Sequence, residues 1–125
     1  MNIIDSSAWL EYFSDGQNAE NFSGAIEDEA SLIVPVITIY EVFKIVLRES
    51  SENDALQAIA AMQKGKVIDL TPDLAMEASK LSLRHNNLPM ADSLILATGN
   101  RFNCTIWTQD SDFQGIEGVV YFPKN

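Results

Sequence analysis

The chain has a single histidine, His85, and a single cysteine, Cys104. That poverty argues against a tetrahedral zinc centre, which draws on several His and Cys ligands, and a lone cysteine leaves no internal disulfide to form. Cations are scarce too: eight Lys and Arg stand against 18 Asp and Glu, a formal net charge of −10. A protein that grips nucleic acid with a broad basic surface is not composed this way. No apolar run approaches the ~18 residues of a membrane-crossing helix. No basic, apolar leader of the secretory kind opens the chain, so a cytoplasmic protein of a reducing compartment is expected. The glycines, Gly99 and Gly115 included, spell neither a Walker loop nor a dinucleotide fingerprint.

What is present suffices for a core. With 46% hydrophobic residues in 125, a single domain over 1–125 is expected to bury its interior without staples. Short apolar runs alternate with helical periodicity. The first run, Met1 to Ile4, stops at Asp5 and passes at once into a pattern that puts Trp9, Tyr12 and Phe13 on one helical face, with Ser6 or Ser7 available as cap. A helix over 17–29 turns Phe22, Ala25 and Ile26 inward, and 31–34 reads as a strand ended by Pro35. Over 36–47 nearly every position is apolar, the pattern of a helix buried nearly all round, yet Glu41 sits in its middle.

A helix over 53–64, with Leu56, Ile59, Ala60 and Met62 inward, precedes a strand at 67–70. Thr71 and Pro72 start the next helix, and Asn86-Asn87 stops it. A further helix over 88–102 is followed by strands at 105–108 and 119–122. The alternation predicts an α/β fold, an open and mostly parallel sheet with right-handed crossovers. Such sheets bury continuous apolar strands and bind ligands at their carboxyl edge.

Four carboxylates follow a strand directly or interrupt an apolar helix: Asp5, Glu41, Asp92 and Asp110, with Asp112 close behind. If they converge, the electrostatics are demanding, because two bare carboxylates ~4 Å apart repel by about 4 kcal/mol at an effective dielectric near 20. A hard divalent cation or shared protons would relieve that repulsion, and oxygen-only ligands suit Mg²⁺ or Mn²⁺. Each acid also has a plain structural reading. Asp5 and Asp92 can cap helices, Glu41 can pair with Lys44 three positions on, and Asp110 and Asp112 can make Asx turns. His85 reads as a helix-end residue and Cys104 as core, and the aromatics read as packing.

The joint order of the motifs resembles the PIN domain, and within it the small ribonuclease toxins of the VapC type. Asp5-Ser6-Ser7-Ala8-Trp9 is similar to the first acidic motif of that family and the run from Val36 through Glu41 to Val42 to the second. Ala91 to Thr98, around Asp92, is similar to the third, and Thr108-Gln109-Asp110-Ser111-Asp112-Phe113 to the fourth. The resemblance implies an α/β/α sandwich with the first strand central. It implies Asp5, Glu41, Asp92 and Asp110 as catalytic metal ligands, Asp112 as an accessory acid, and Thr108 and Ser6 as polar supports. The activity implied is metal-dependent endonucleolytic cleavage of RNA by a homodimer restrained by a small antitoxin.

Two other classes stay open at this point. One is a PIN-like binding module that keeps the acids and acts through a partner. The other is a Mg²⁺-binding phosphoacceptor domain with Asp5 and Asp69 at strand ends. For an RNA backbone the chain offers only scattered cations such as Lys44, Arg48, Lys80, Arg84, His85 and Arg101.

Overall fold

The computed structural model describes residues Met1–Lys124. In chain order they form β1 (Asn2–Ile4), α1 (Ser6–Phe13), α2 (Ala19–Glu27), β2 (Leu32–Pro35), α3 (Val36–Glu49) and α4 (Glu52–Met62). There follow β3 (Lys66–Ile68), α5 (Pro72–Arg84), α6 (Met90–Phe102), β4 (Thr105–Thr108) and β5 (Val119–Tyr121). The strands make one sheet in the order β3-β2-β1-β4-β5, every pair parallel, so the fold is the expected α/β type with β1 at its centre.

Successive residues of a strand face opposite sides of a sheet, and here each side has its own core. Ile3, Ile33 and Ile106 pack with Leu74, Leu81, Ile95 and Phe113 beneath α5 and α6. Ile4, Leu32 and Val34 pack with Trp9, Phe22, Val42 and Met62 beneath α1 to α4. Each fully buried side chain of this size contributes about 1.5–3 kcal/mol. That stabilisation is what desolvated acids at the sheet edge are set against. Helix α6 comes close to the sheet at Gly99: a Cβ there would stand 2.9 Å from Ile106 Cδ1, so a larger residue would push that side chain aside. Among the described residues no helix is long and apolar enough to cross a membrane.

Three local expectations are corrected. The cap position of α1 is Asp5, not Ser6 or Ser7, and the Asp5 side chain does not cap; the carboxylate and both hydroxyls are engaged elsewhere. Helix α3 is not buried nearly all round: only Thr38 and Val42 are fully covered, while Tyr40 is 60% and Leu47 45% exposed. Its apolar surface exceeds what the fold covers. On α4 the expected Met62 and, half-buried, Ile59 do face inward, but with Ala55 and Ala58 rather than Leu56 and Ala60, which lie outside. The small alanines allow α4 close to its neighbours, and a register based on the larger side chains misses that.

Candidate active site

Parallel strands deliver their carboxyl ends to one edge, and β1 and β4 are neighbours in register Ile4 with Trp107. The residues that follow, Asp5 and Thr108, therefore emerge side by side. Asp5 is 2% exposed, and its Oδ2 accepts hydrogen bonds from Thr108 Oγ1 at 2.7 Å and Ser7 Oγ at 2.6 Å. Burial raises its pKa above the ordinary carboxylate value; the two hydroxyls oppose that shift, and the charge of Asp110 adds to it.

Asp110 follows β4 by two residues. Its backbone N–H donates to Thr108 Oγ1 at 2.9 Å, and its Oδ1 accepts from Asp112 N–H at 2.9 Å, closing a single 3₁₀ turn over Ser111–Phe113. The Asx-turn reading is thus correct for Asp110, and it aims the acid rather than occupying it, since the other carboxylate oxygen accepts no hydrogen bond among the described residues. Glu41 enters from α3 and does not pair with Lys44. Lys44 sits over the Tyr40 ring at 5.7 Å, and Glu41 Oε1 accepts from Ser6 Oγ at 2.5 Å. Burial raises the Glu41 pKa, the Ser6 bond opposes this, and Asp5 and Asp110 add to it.

Asp92 is no helix cap, because that position is taken by Pro89; it lies in the first turn of α6 and is buried. Burial, followed by the charges of Asp5, Asp110, Asp112 and Glu41, pushes its pKa up to about 8. Asp92, Asp110 and Asp112 each present a carboxylate oxygen within 4.8 Å of the others. Among the described residues the one ion pair is Arg48 with Glu49 at the surface, so none of these acids is ion-paired. All five carboxylates thus come to one edge, with Asp112 joining Asp92 and Asp110 in the tightest group.

The sequence reading missed part of the support. Ser7 looked like a capping residue, yet it bonds Asp5. Gln109 and Asn18 are buried together, Asn18 Nδ2 donating to Gln109 Oε1 at 3.0 Å across 91 residues of chain. Amide pairs of this kind carry no local sequence signal. A groove of about 940 Å³ opens over the acids and runs along α1, α3 and α4.

The donor set tests well for a hard divalent ion. It is all oxygen, its acids form no ion pair among the described residues, and burial, followed by the acidic neighbours, holds one member protonated near neutrality. Zinc fits poorly, since neither His85 nor Cys104 lines the groove.

A family model described as PIN domain matches residues 3–119. No curated protein matches the chain. Among solved structures, a toxin-antitoxin complex from Klebsiella pneumoniae is similar, with a TM-score of 0.81 and 24% identity over 96% of each chain. VapC20 of Mycobacterium tuberculosis, a Sarcin-Ricin loop cleaving toxin, gives a TM-score of 0.79 at 17% identity, over 94% of this chain and 95% of that one. VapBC2 from Rickettsia felis, bound to a DNA fragment from its promoter, gives 0.73 at 12% identity, over 98% and 97%. At these identities the likeness bears on the fold.

Proposed function

The chain belongs to the PIN domain family, and from that premise we propose that it is a Mg²⁺- or Mn²⁺-dependent endoribonuclease, the toxin of a toxin-antitoxin pair. One observation carries the proposal: Asp92, Asp110 and Asp112 bring carboxylate oxygens within 4.8 Å of one another, and none of them is ion-paired among the described residues. A toxin-antitoxin complex and a Sarcin-Ricin loop cleaving toxin among its structural neighbours support the same reading.

In this account Asp92, Asp110 and Asp112 hold the ion, with Asp5 and Glu41 facing the same space. A divalent ion held there would supply a water activated for in-line attack and charge neutralisation on the leaving oxygen. The protein's own part is orientation. Thr108 and Ser7 fix Asp5, Ser6 fixes Glu41, and the Asp110 turn fixes Asp112 relative to its neighbour. With its pKa raised to about 8, Asp92 would have to lose a proton to serve as a ligand, so metal affinity should rise with pH around neutrality.

The antitoxin and a second copy of the chain are the proposed protein partners. The exposed Tyr40 and Leu47 of α3 support a protein-binding face, because large apolar side chains grouped on a surface mark association sites. A phosphoacceptor role is disfavoured by geometry: Asp69 is exposed after the edge strand β3, two strands away from Asp5. The test is incubation of wild-type protein with end-labelled tRNA and unstructured RNA under Mg²⁺, Mn²⁺ or EDTA. Cutting that needs metal and leaves no cyclic phosphate ends supports water attack at this site. Cutting that survives EDTA, or no cutting on any substrate, contradicts it, the second result favouring a silent binding module.

A further inference from the structure

A ribonuclease must hold several phosphates of its substrate, yet among the described residues the groove is lined by seven carboxylates and a single cation, Lys124. None of the cations that the sequence offered for this purpose is in the groove. Lys44 and Arg48 line a separate shallow depression on α3, and Lys80, Arg84 and Arg101 line neither. Among the described residues Lys124 forms no ion pair, so its charge is not spent on the surrounding acids.

The backbone leading to Lys124 is fastened at three points. Strand β5 is parallel to β4, so it exits at the same edge as Thr108. Phe122 N–H donates to Thr108 O at 2.9 Å, and the Phe122 ring packs edge-on against Phe22 at 5.7 Å. Asn18 Nδ2 donates to Pro123 O at 3.0 Å, its other hydrogen going to Gln109 Oε1 at 3.0 Å. Asn18 is buried, and both hydrogens of its amide are committed. The same amide therefore ties the segment that presents Lys124 to the loop that presents Asp110.

We infer that Lys124 binds a phosphate of the RNA backbone beside the scissile bond, and that Asn18 is the positioning residue that holds it there. The inference rests on the ribonuclease reading above. A flexible ammonium suits this role, as a point charge that neutralises a phosphate without reading a base.

The experiment measures cleavage kinetics and, in an Asp92→Asn background that does not cut, anisotropy of a fluorescein-labelled single-stranded RNA with Mg²⁺ over a salt series. Lys124→Ala is expected to raise KM and weaken binding about fivefold to tenfold, with kcat within about twofold, as for loss of one phosphate contact. The plot of log affinity against log salt should become shallower by about 0.7. Lys124→Arg should restore binding, and Lys80→Ala, on the exposed side of α5, should change nothing. Adding Asn18→Ala to Lys124→Ala should raise KM no further, although Asn18→Ala alone raises it. Wild-type affinity and salt slope in Lys124→Ala would overturn the inference while metal-dependent cutting left the ribonuclease reading standing. An additive rise in KM in the double variant would overturn the positioning role of Asn18. A wild type that neither binds nor cuts RNA would overturn both readings together.

Discussion

Thr108 Oγ1 donates to Asp5 Oδ2 at 2.7 Å while accepting the backbone N–H of Asp110 at 2.9 Å, so one fully buried hydroxyl sets the spacing between the acids that follow two adjacent strands. Neither bond is available to an isosteric methyl group. Thr108→Val should lower kcat or metal affinity about 10–100-fold and destabilise the fold by about 1–3 kcal/mol, the cost of leaving buried partners unmet. Cleavage assays and urea unfolding read the two effects separately, and full activity in a normally folded variant would remove Thr108 from the account.

The crowded acids make a prediction about pH. In the metal-free protein Asp92 has a pKa of about 8 against 3.8 for an unperturbed aspartate, so between those values the native state binds more protons than the unfolded chain. Stability must then fall as pH rises through that window and level off above about 8. The melting temperature in EDTA should drop from about pH 5 to about pH 8, and Mg²⁺ at the upper end should recover it by replacing the lost protons. Asp92→Asn, which carries no charge, should flatten the slope. A pH-independent melting temperature in EDTA would show that burial and the neighbouring acids do not raise the Asp92 pKa as the geometry requires.

Ser6 offers a gentler probe. Its hydroxyl holds Glu41 and opposes the upward shift of the Glu41 pKa. Ser6→Ala should cost about tenfold in metal affinity or activity. It should also move the rising limb of the pH–activity profile upward, because Glu41 then surrenders its proton less readily. A lowered activity with an unmoved profile would mean that Ser6 serves the fold and not Glu41.

The apolar surface of α3 predicts self-association. Leu47→Glu should convert a dimer to a monomer in sedimentation velocity, without disturbing the melting temperature by more than a few degrees, since Leu47 is 45% exposed. If wild type and variant sediment alike, the face serves another partner or none.

These particulars show what the sequence made legible. Asp5 and Asp110 could be found because a carboxylate just beyond a short apolar run marks a strand end. Glu41 and Asp92 stood out as charges inside apolar helices. The parallel order of the sheet followed from alternation of the two periods. Hydrophobic pattern, however, reports that a side chain avoids water and not what covers it, so α3 read as core although Tyr40 and Leu47 face outward. Serines at a helix start read as caps, which concealed the bonds from Ser6 to Glu41 and from Ser7 to Asp5. The Asn18 to Gln109 contact joins residues far apart in the chain, and Lys124 was legible only as a cation after the last strand, not as one that lines the groove of the acids.

The most direct measurement is RNA cleavage by nuclease-free Asp92→Asn beside wild type, in Mg²⁺, with circular dichroism on the same samples. The account predicts matching spectra and loss of cutting in the variant, because an uncharged amide in place of the Asp92 carboxylate removes one of the three clustered acids proposed as ion ligands. Wild-type cutting by a folded Asp92→Asn would contradict it, and would separate the acidic cluster from whatever activity the protein has.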